Sequence, residues 1–246
     1  MNNVKFDLGM ASFTLRKFDL IETSKMTKRV GLTHISLKSM HLPLDTEKNE
    51  IKNLANKVRE IGLELYGCGV IYMSSREEVD NAFEYAEAAD INVIIGVPEK
   101  ELLDYVEEKV KEYDIKLAIH NHGPGDDRYP SPGDVYEAIK DKDERMGLCL
   151  DIGHTKRLDE DPIKALVEYN DRIHDIHIKD VSEASEDGGP VPMNRGVINI
   201  PEVLKKLIEI DYQGVLGLEY EDKPEDPLPE IAESVGFMKG VVSVIT

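Results

Sequence analysis

Basic residues are in short supply. The 246-residue chain carries 30 lysines and arginines against 49 aspartates and glutamates, a formal net charge of −19. A surface of that sign cannot exchange counterions with a phosphate backbone, which argues against nucleic acid as a partner and disfavours anionic membranes. Nowhere do about 18 apolar residues run together. The opening MNNVKFDLGM has no basic segment followed by an apolar one, so neither a spanning helix nor a signal peptide is expected and the cytoplasm is the expected compartment. Cysteine is nearly missing. Cys68 and Cys149 are far apart, each inside an apolar run, which points to buried free thiols and against a disulfide framework or a zinc finger. A Gly-rich phosphate-binding turn after the first strand is also lacking, since Gly9-Met10-Ala11-Ser12 stands there, and this weighs against an open nucleotide-binding sheet.

What is present is the composition of a globular protein, 41% hydrophobic and 32% charged, with the charge concentrated in Glu-rich helices. Strands are expected at residues 4–9, 33–38, 63–68, 92–97, 116–121, 146–151, 174–179 and 215–220, recurring roughly every 30 residues with a helical segment between each pair. One such helix places Ile51, Leu54, Ala55, Val58 and Ile61 on a stripe and stops at Gly62. Others open at Ser74-Ser75, Pro98, Ser131-Pro132, Asp161-Pro162 and Asn199 by capping or N-terminal proline chemistry. Eight βα units demand parallel strands with right-handed crossovers, and the expected fold is a single-domain (β/α)8 TIM barrel spanning 1–246. The stretch 180–198 is the longest without periodicity.

Four of these strands end in a chemically active residue: His120 in KLAIHNHGP, Asp151 in MGLCLDIGH, His177 in HDIHIKD and Glu219 in GVLGLEYE. The C-terminal strand ends of a barrel share one mouth, so the four converge despite their separation in sequence. Two imidazoles and two carboxylates with an open position suit Mn²⁺, Fe²⁺, Co²⁺ or Zn²⁺, and unpaired carboxylates buried there without a cation would cost several kcal/mol each. His122 shares a face with His120 and is the alternative ligand or a substrate contact; Lys179 shares a face with His177. His174, at the start of its strand, belongs to the opposite end of the barrel. Lys38, His41 and Tyr72 follow the second and third strands and either line a sugar pocket or pack.

The ordered set IHNHGP, LCLDIGHT, HIKDV, Arg195-Gly196 and GLEYE resembles the xylose isomerase-like (β/α)8 superfamily, in particular its sugar phosphate isomerase/epimerase group, over nearly the whole chain. The resemblance implies metal ligation by His120, Asp151, His177 and Glu219, with His154 and Arg195 contacting substrate hydroxyls. Two departures stand out: the family's strand-5 glutamate is His120, and the usual glycine before the arginine is Asn194. Ketose 3-epimerases use both glutamates as an acid/base pair, so here Glu219 is the one clear base and His122, His154 or Lys179 supplies the second proton transfer.

The expected activity is divalent-metal-dependent isomerase or epimerase chemistry, in which a proton is removed next to a carbonyl and the enediolate is stabilised by the metal. The 181–194 loop carries Glu183, Glu186 and Asp187 and no base, which favours an unphosphorylated sugar or keto-sugar. The alternatives are a keto-sugar lyase or dehydratase on the same chemistry, and a non-catalytic sugar-binding or engineered barrel scaffold. A phosphodiesterase of the endonuclease IV type would need more metal ligands than seven histidines readily supply, and a cationic groove. Barrels of this group commonly associate, which implies a homo-oligomer.

Overall fold

A computed structural model describes residues 4–246. Among them, eight parallel strands form a closed barrel: β1 (Asp7–Ala11), β2 (His34–Leu37), β3 (Glu64–Met73), β4 (Val93–Pro98), β5 (Lys116–His120), β6 (Met146–Asp151), β7 (Ile173–Ile178) and β8 (Val215–Leu218). Each strand pairs with its neighbours in sequence, and β8 closes on β1 through Asp7 to Val215 and Met10 to Leu218. The helices are α1 (Leu20–Arg29), α2 (Lys48–Glu60), α3 (Arg76–Ala89), α4 (Leu103–Tyr113), α5 (Pro132–Ile139), α6 (Ile152–Arg157), α7 (Pro162–Glu168), α8 (Ile200–Glu209) and α9 (Leu228–Ile245).

Local chemistry sets most of these boundaries. Ile51, Ala55 and Val58 form the buried stripe of α2, and Gly62 follows at φ +92°, a conformation glycine adopts without steric cost. Ser75 accepts the Glu78 N–H to start α3, Ser131 and Asp134 close a reciprocal capping box on α5, and Asn199 accepts the Glu202 N–H at α8. Strands β4 to β8 alternate. Ile94, Leu117, Ile119, Leu148, Leu150, Ile176, Leu216 and Leu218 are buried in the main core with the helices, while Ile95, Ala118 and Cys149 form a separate small cluster within the barrel.

The structure departs from the expected boundaries in four places. β1 begins at Asp7, later than expected, and runs into a short 3₁₀ turn, Ser12–Leu15. β3 continues to Met73 because its pairing with β4 shifts register between Gly69 and Ile71; Val70 leaves the ladder and the strand carries on beyond it. Pro98 does not open a helix. It ends β4 opposite Met73, and α4 starts at Leu103 after a 3₁₀ turn. The short α6 follows β6 directly, with Asp151 as its cap.

The long loop after β7 has its own organiser. Asp180–Val181 pairs antiparallel with Pro190–Val191. The buried Asp180 carboxylate accepts the backbone N–H groups of Val181, Asn194, Gly196 and Ile198 at 2.9 to 3.1 Å. No helix among the described residues is long and apolar enough to cross a membrane.

Candidate metal centre

Period-two alternation along four consecutive strands builds the site in tiers. Ala118, Cys149, Asp175 and Gly217 lie inside the barrel. Two residues on, at the mouth, stand His120, Asp151, His177 and Glu219. Two further on come His122, Lys179 and Glu221, with His154 from the first turn of α6.

The middle tier is a donor quartet. One ligand atom from each of His120, Asp151, His177 and Glu219 lies within 4.8 Å of all the others. His120 Nε2 is 3.0 Å from His177 Nδ1 and 3.4 Å from Asp151 Oδ2, and His177 Nδ1 is 3.4 Å from Glu219 Oε2. Ligands about 2.1 Å from a common ion are separated by about 3.0 to 3.4 Å, so the spacing fits a divalent metal. Asp151 shows how the strand end serves two purposes. Its Oδ1 accepts the His154 N–H at 2.7 Å and caps α6, while its fully buried Oδ2 faces the quartet, 3.1 Å from the Lys179 ammonium and 3.4 Å from His120 Nε2. Asn121, on the outward face of the strand, holds that end in place: its Oδ1 accepts the Asp151 N–H, and its Nδ2 donates to Asp151 O and Thr155 Oγ1. Cys149 also approaches His120 and His177; burial and the neighbouring Asp175 push its thiol well above the ordinary value.

Lys179 dominates the electrostatics. Its ammonium, 3% exposed, lies 2.7 Å from Glu219, 3.1 Å from Asp151 and 2.6 Å from Glu221. Burial alone would lower the Lys179 pKa; the three carboxylates outweigh it and hold the lysine well above its ordinary value. The same pairing reverses the upward pull of burial on Asp151 and Glu219, so both stay ionised. Burial takes His120 well below its usual value, lowers His122, and brings His154 to about 4. His177 moves the other way because Glu219, Asp175 and Asp151 overcome its burial.

Above the quartet lies a cleft of about 200 Å³. It is lined by His120, His122, His154, Glu219 and Glu221 together with Phe13, Lys38, Val70 and Tyr72. Tyr72 Oη is 3.0 Å from His122 Nε2. Lys38 donates to the Val70 carbonyl, which the β3 irregularity has released from the ladder. Burial lowers the Lys38 pKa against the opposing pull of Glu219 and Glu221.

Two of the expected pocket residues stand elsewhere. His41 is buried with its ring nitrogens against Ser12 Oγ and the Leu15 carbonyl, where it fastens the loop after β2. Arg195 is turned out: its guanidinium forks onto Glu233 of α9 with its side chain 61% exposed. The backbone on either side of it is held by Asp180, which accepts the Asn194 and Gly196 N–H groups. Residues not anticipated are Phe13, Val70 and Glu221. Glu221 was signalled by its spacing from Glu219 in GLEYE; nothing local marks Phe13 or Val70.

Fold and geometry together define a (β/α)8 barrel whose C-terminal mouth holds a His₂-Asp-Glu donor set. The profile of the xylose isomerase-like TIM barrel family matches residues 24–241, and the chain belongs to that family. The rhizopine catabolism protein MocC of Rhizobium meliloti is 28% identical over 145 residues, a match covering 50% of this chain and 42% of that protein. Matches to curated relatives thus span less than half of those proteins' own length. Among solved structures, an L-ribulose 3-epimerase superposes with a TM-score of 0.80 at 16% identity, covering 98% of this chain and 95% of that one. A D-tagatose 3-epimerase-like protein superposes at 0.79 and 20% identity, covering 98% of each. A protein from Parabacteroides distasonis gives 0.76 at 26%, covering 96% of this chain and 99% of that one.

Proposed function

We propose that the protein is a divalent-metal-dependent enzyme that removes a proton next to the carbonyl of an unphosphorylated sugar or keto-sugar, in the manner of an isomerase or epimerase. The observation that carries this reading is the buried quartet His120, Asp151, His177 and Glu219, whose donor atoms all lie within 4.8 Å of one another. An ion held there would polarise a substrate carbonyl and stabilise the oxyanion formed on loss of the proton.

The chain's own groups do the rest. Glu219, kept ionised by Lys179 and His177, is the base for the C–H proton. Lys179, ringed by carboxylates, orients them and is a poor proton donor. His122, His154 and Tyr72 present neutral hydrogen-bonding groups to hydroxyls in the cleft. Glu219 and Glu221 in the cleft lining disfavour a phosphate, in keeping with the L-ribulose 3-epimerase and D-tagatose 3-epimerase-like neighbours, whose names specify sugars without one.

A second reading, elimination of water from the same ionised carbon, is supported by Lys38. It lines the same cleft, with its ammonium bonded to the Val70 carbonyl, where it would protonate a departing hydroxyl. The probable 3-DHS dehydratase AsbF of Bacillus anthracis shares the fold at a TM-score of 0.77 and 12% identity.

The test has two stages. Metal analysis of the purified parent beside Asp151→Ala and His177→Ala is expected to find an ion in the parent alone; a parent without metal under metal-replete conditions refutes the proposal. Incubation with keto-sugars in D₂O then reads C–H exchange, which Glu219→Gln is expected to abolish with the fold intact. Product analysis separates epimer from dehydrated sugar, and a preference for the phosphorylated form would refute the substrate assignment.

A further inference from the structure

One tier below the quartet, inside the barrel, is a carboxylate that the proposed reaction does not use. Asp175 is fully buried. Among the described residues no lysine or arginine lies within 4 Å of it; His177 Nε2 is 3.8 Å from Asp175 Oδ2, and Tyr66 also lies beside the carboxyl. Cys149 donates its S–H to Asp175 Oδ2 at 3.4 Å. Asp175 Oδ1, His177 Nε2 and the Tyr66 hydroxyl are buried without hydrogen-bond partners. A carboxylate placed inside a barrel without a cation is costly, and hydrophobic packing would be served better by an aliphatic residue.

His177 stands between two environments. Its Nδ1 faces the quartet, 3.0 Å from His120 Nε2, 3.4 Å from Glu219 and 3.9 Å from Asp151. Its Nε2 faces down toward Asp175. An imidazole presents a lone pair on one nitrogen when its proton sits on the other, and a carboxylate behind the ring selects that tautomer and strengthens the free nitrogen as a donor. The 3.8 Å between Nε2 and Asp175 Oδ2 is wider than a hydrogen bond, and the broad His χ2 well is the freedom by which the ring would close it.

We propose that Asp175 is a positioning residue for the metal centre: it takes the His177 Nε2 proton as a hydrogen-bond acceptor and so commits Nδ1 to the ion. This rests on the reading of the quartet as a metal site. Period two along β7 places Asp175 under His177 as it places His177 under Lys179, so one strand supplies the orienting carboxylate, the ligand and the counter-charge.

Metal-stripped parent, Asp175→Leu and Asp175→Asn are titrated with Co²⁺ alone, following its visible absorption, and the metal-free forms are melted in parallel. Asp175→Leu is expected to bind Co²⁺ about 10- to 100-fold more weakly, with a changed absorption band, yet to melt no lower than the parent without metal. Asp175→Asn, which keeps the shape and loses the charge, is expected to weaken binding by a smaller factor. Unchanged Co²⁺ affinity and spectrum in both variants, with the parent binding normally, overturns the proposal alone. It is equally overturned if Asp175→Leu melts far lower than the parent while Asp175→Asn binds as the parent does, since Asp175 is then structural. A parent that binds no Co²⁺ overturns the metal reading and this proposal with it.

Discussion

Replacing Lys179 by methionine tests the electrostatic logic of the site most directly. The substitution keeps the length of the stem and removes one charge from among Asp151, Glu219 and Glu221, at 3.1, 2.7 and 2.6 Å. Asp151 and Glu219 are 0% and 7% exposed and cannot recover solvation where they stand. Breaking a buried pair by removing one partner costs about 3 to 5 kcal/mol. Glu221, whose side chain is 34% exposed, adds little to that figure. For a domain of this size each kcal/mol moves the melting temperature by about 2 to 4 °C, so the metal-free variant is expected to melt on the order of 10 °C below the parent.

On the proposed reading of the quartet, a divalent ion would supply the missing charge. Saturating Mn²⁺ or Zn²⁺ is therefore expected to recover most of that loss and to raise the variant's melting temperature by more than it raises the parent's, because one competing cation has gone. With no tryptophan in the chain, the melt is followed by far-ultraviolet circular dichroism or tyrosine fluorescence. A chelator-treated Lys179→Met that melts with the parent would refute the reasoning, and so would a variant whose loss is insensitive to metal.

Other perturbations test separate parts of the structure. Gly153 lies against the Lys179 stem, and a Cβ there would sit 2.2 Å from Lys179 Cγ; Gly153→Ala is expected to displace the ammonium and reproduce part of the Lys179→Met loss, measured in the same melt. Asn121→Ala removes the bonds that hold Asp151 and Thr155 and leaves the buried Asp151 N–H unpaired, an expected cost of about 1 to 3 kcal/mol by denaturant titration, with weaker metal binding. His174, far from the quartet, is lowered from 6.5 to about 4 by burial, Lys116 and Arg172. The unfolded chain therefore binds a proton that the folded chain refuses as pH falls from 6.5 to 4, and stability declines through that window. His174→Gln is expected to remove about 2 kcal/mol of this decline after allowance for partial exposure; equal pH dependence in parent and variant would refute the assignment.

The eight βα units and the four quartet positions were legible because both rest on short-range periodicity: an apolar run marks a buried parallel strand, and alternation assigns each polar strand end to the mouth. His41 and Arg195 lay beyond such reasoning. Each sits in a loop whose direction is decided by a distant partner, Ser12 and Leu15 for the one, Asp180 and Glu233 for the other, and no local pattern encodes those contacts. The late end of β3 was hidden for a related reason, since the register shift at Gly69 depends on pairing with β4.

Asp175 lies between these cases. The alternation that brings His177 to the mouth also puts Asp175 one tier beneath it, so its direction could be read from HDIHIKD. Its meaning could not, because that depends on what else lines the barrel at that level. There Ala118, Cys149 and Gly217 offer no positive charge, and Ile95 and Ala118 pack in the small apolar cluster beside Cys149. A carboxylate in such surroundings at the foot of His177 costs stability unless the imidazole above it is engaged from its other side. That dependence joins the interior of the barrel to the chemistry at its mouth, and it predicts opposite responses to Asp175→Leu: weaker metal binding without a corresponding loss of metal-free stability.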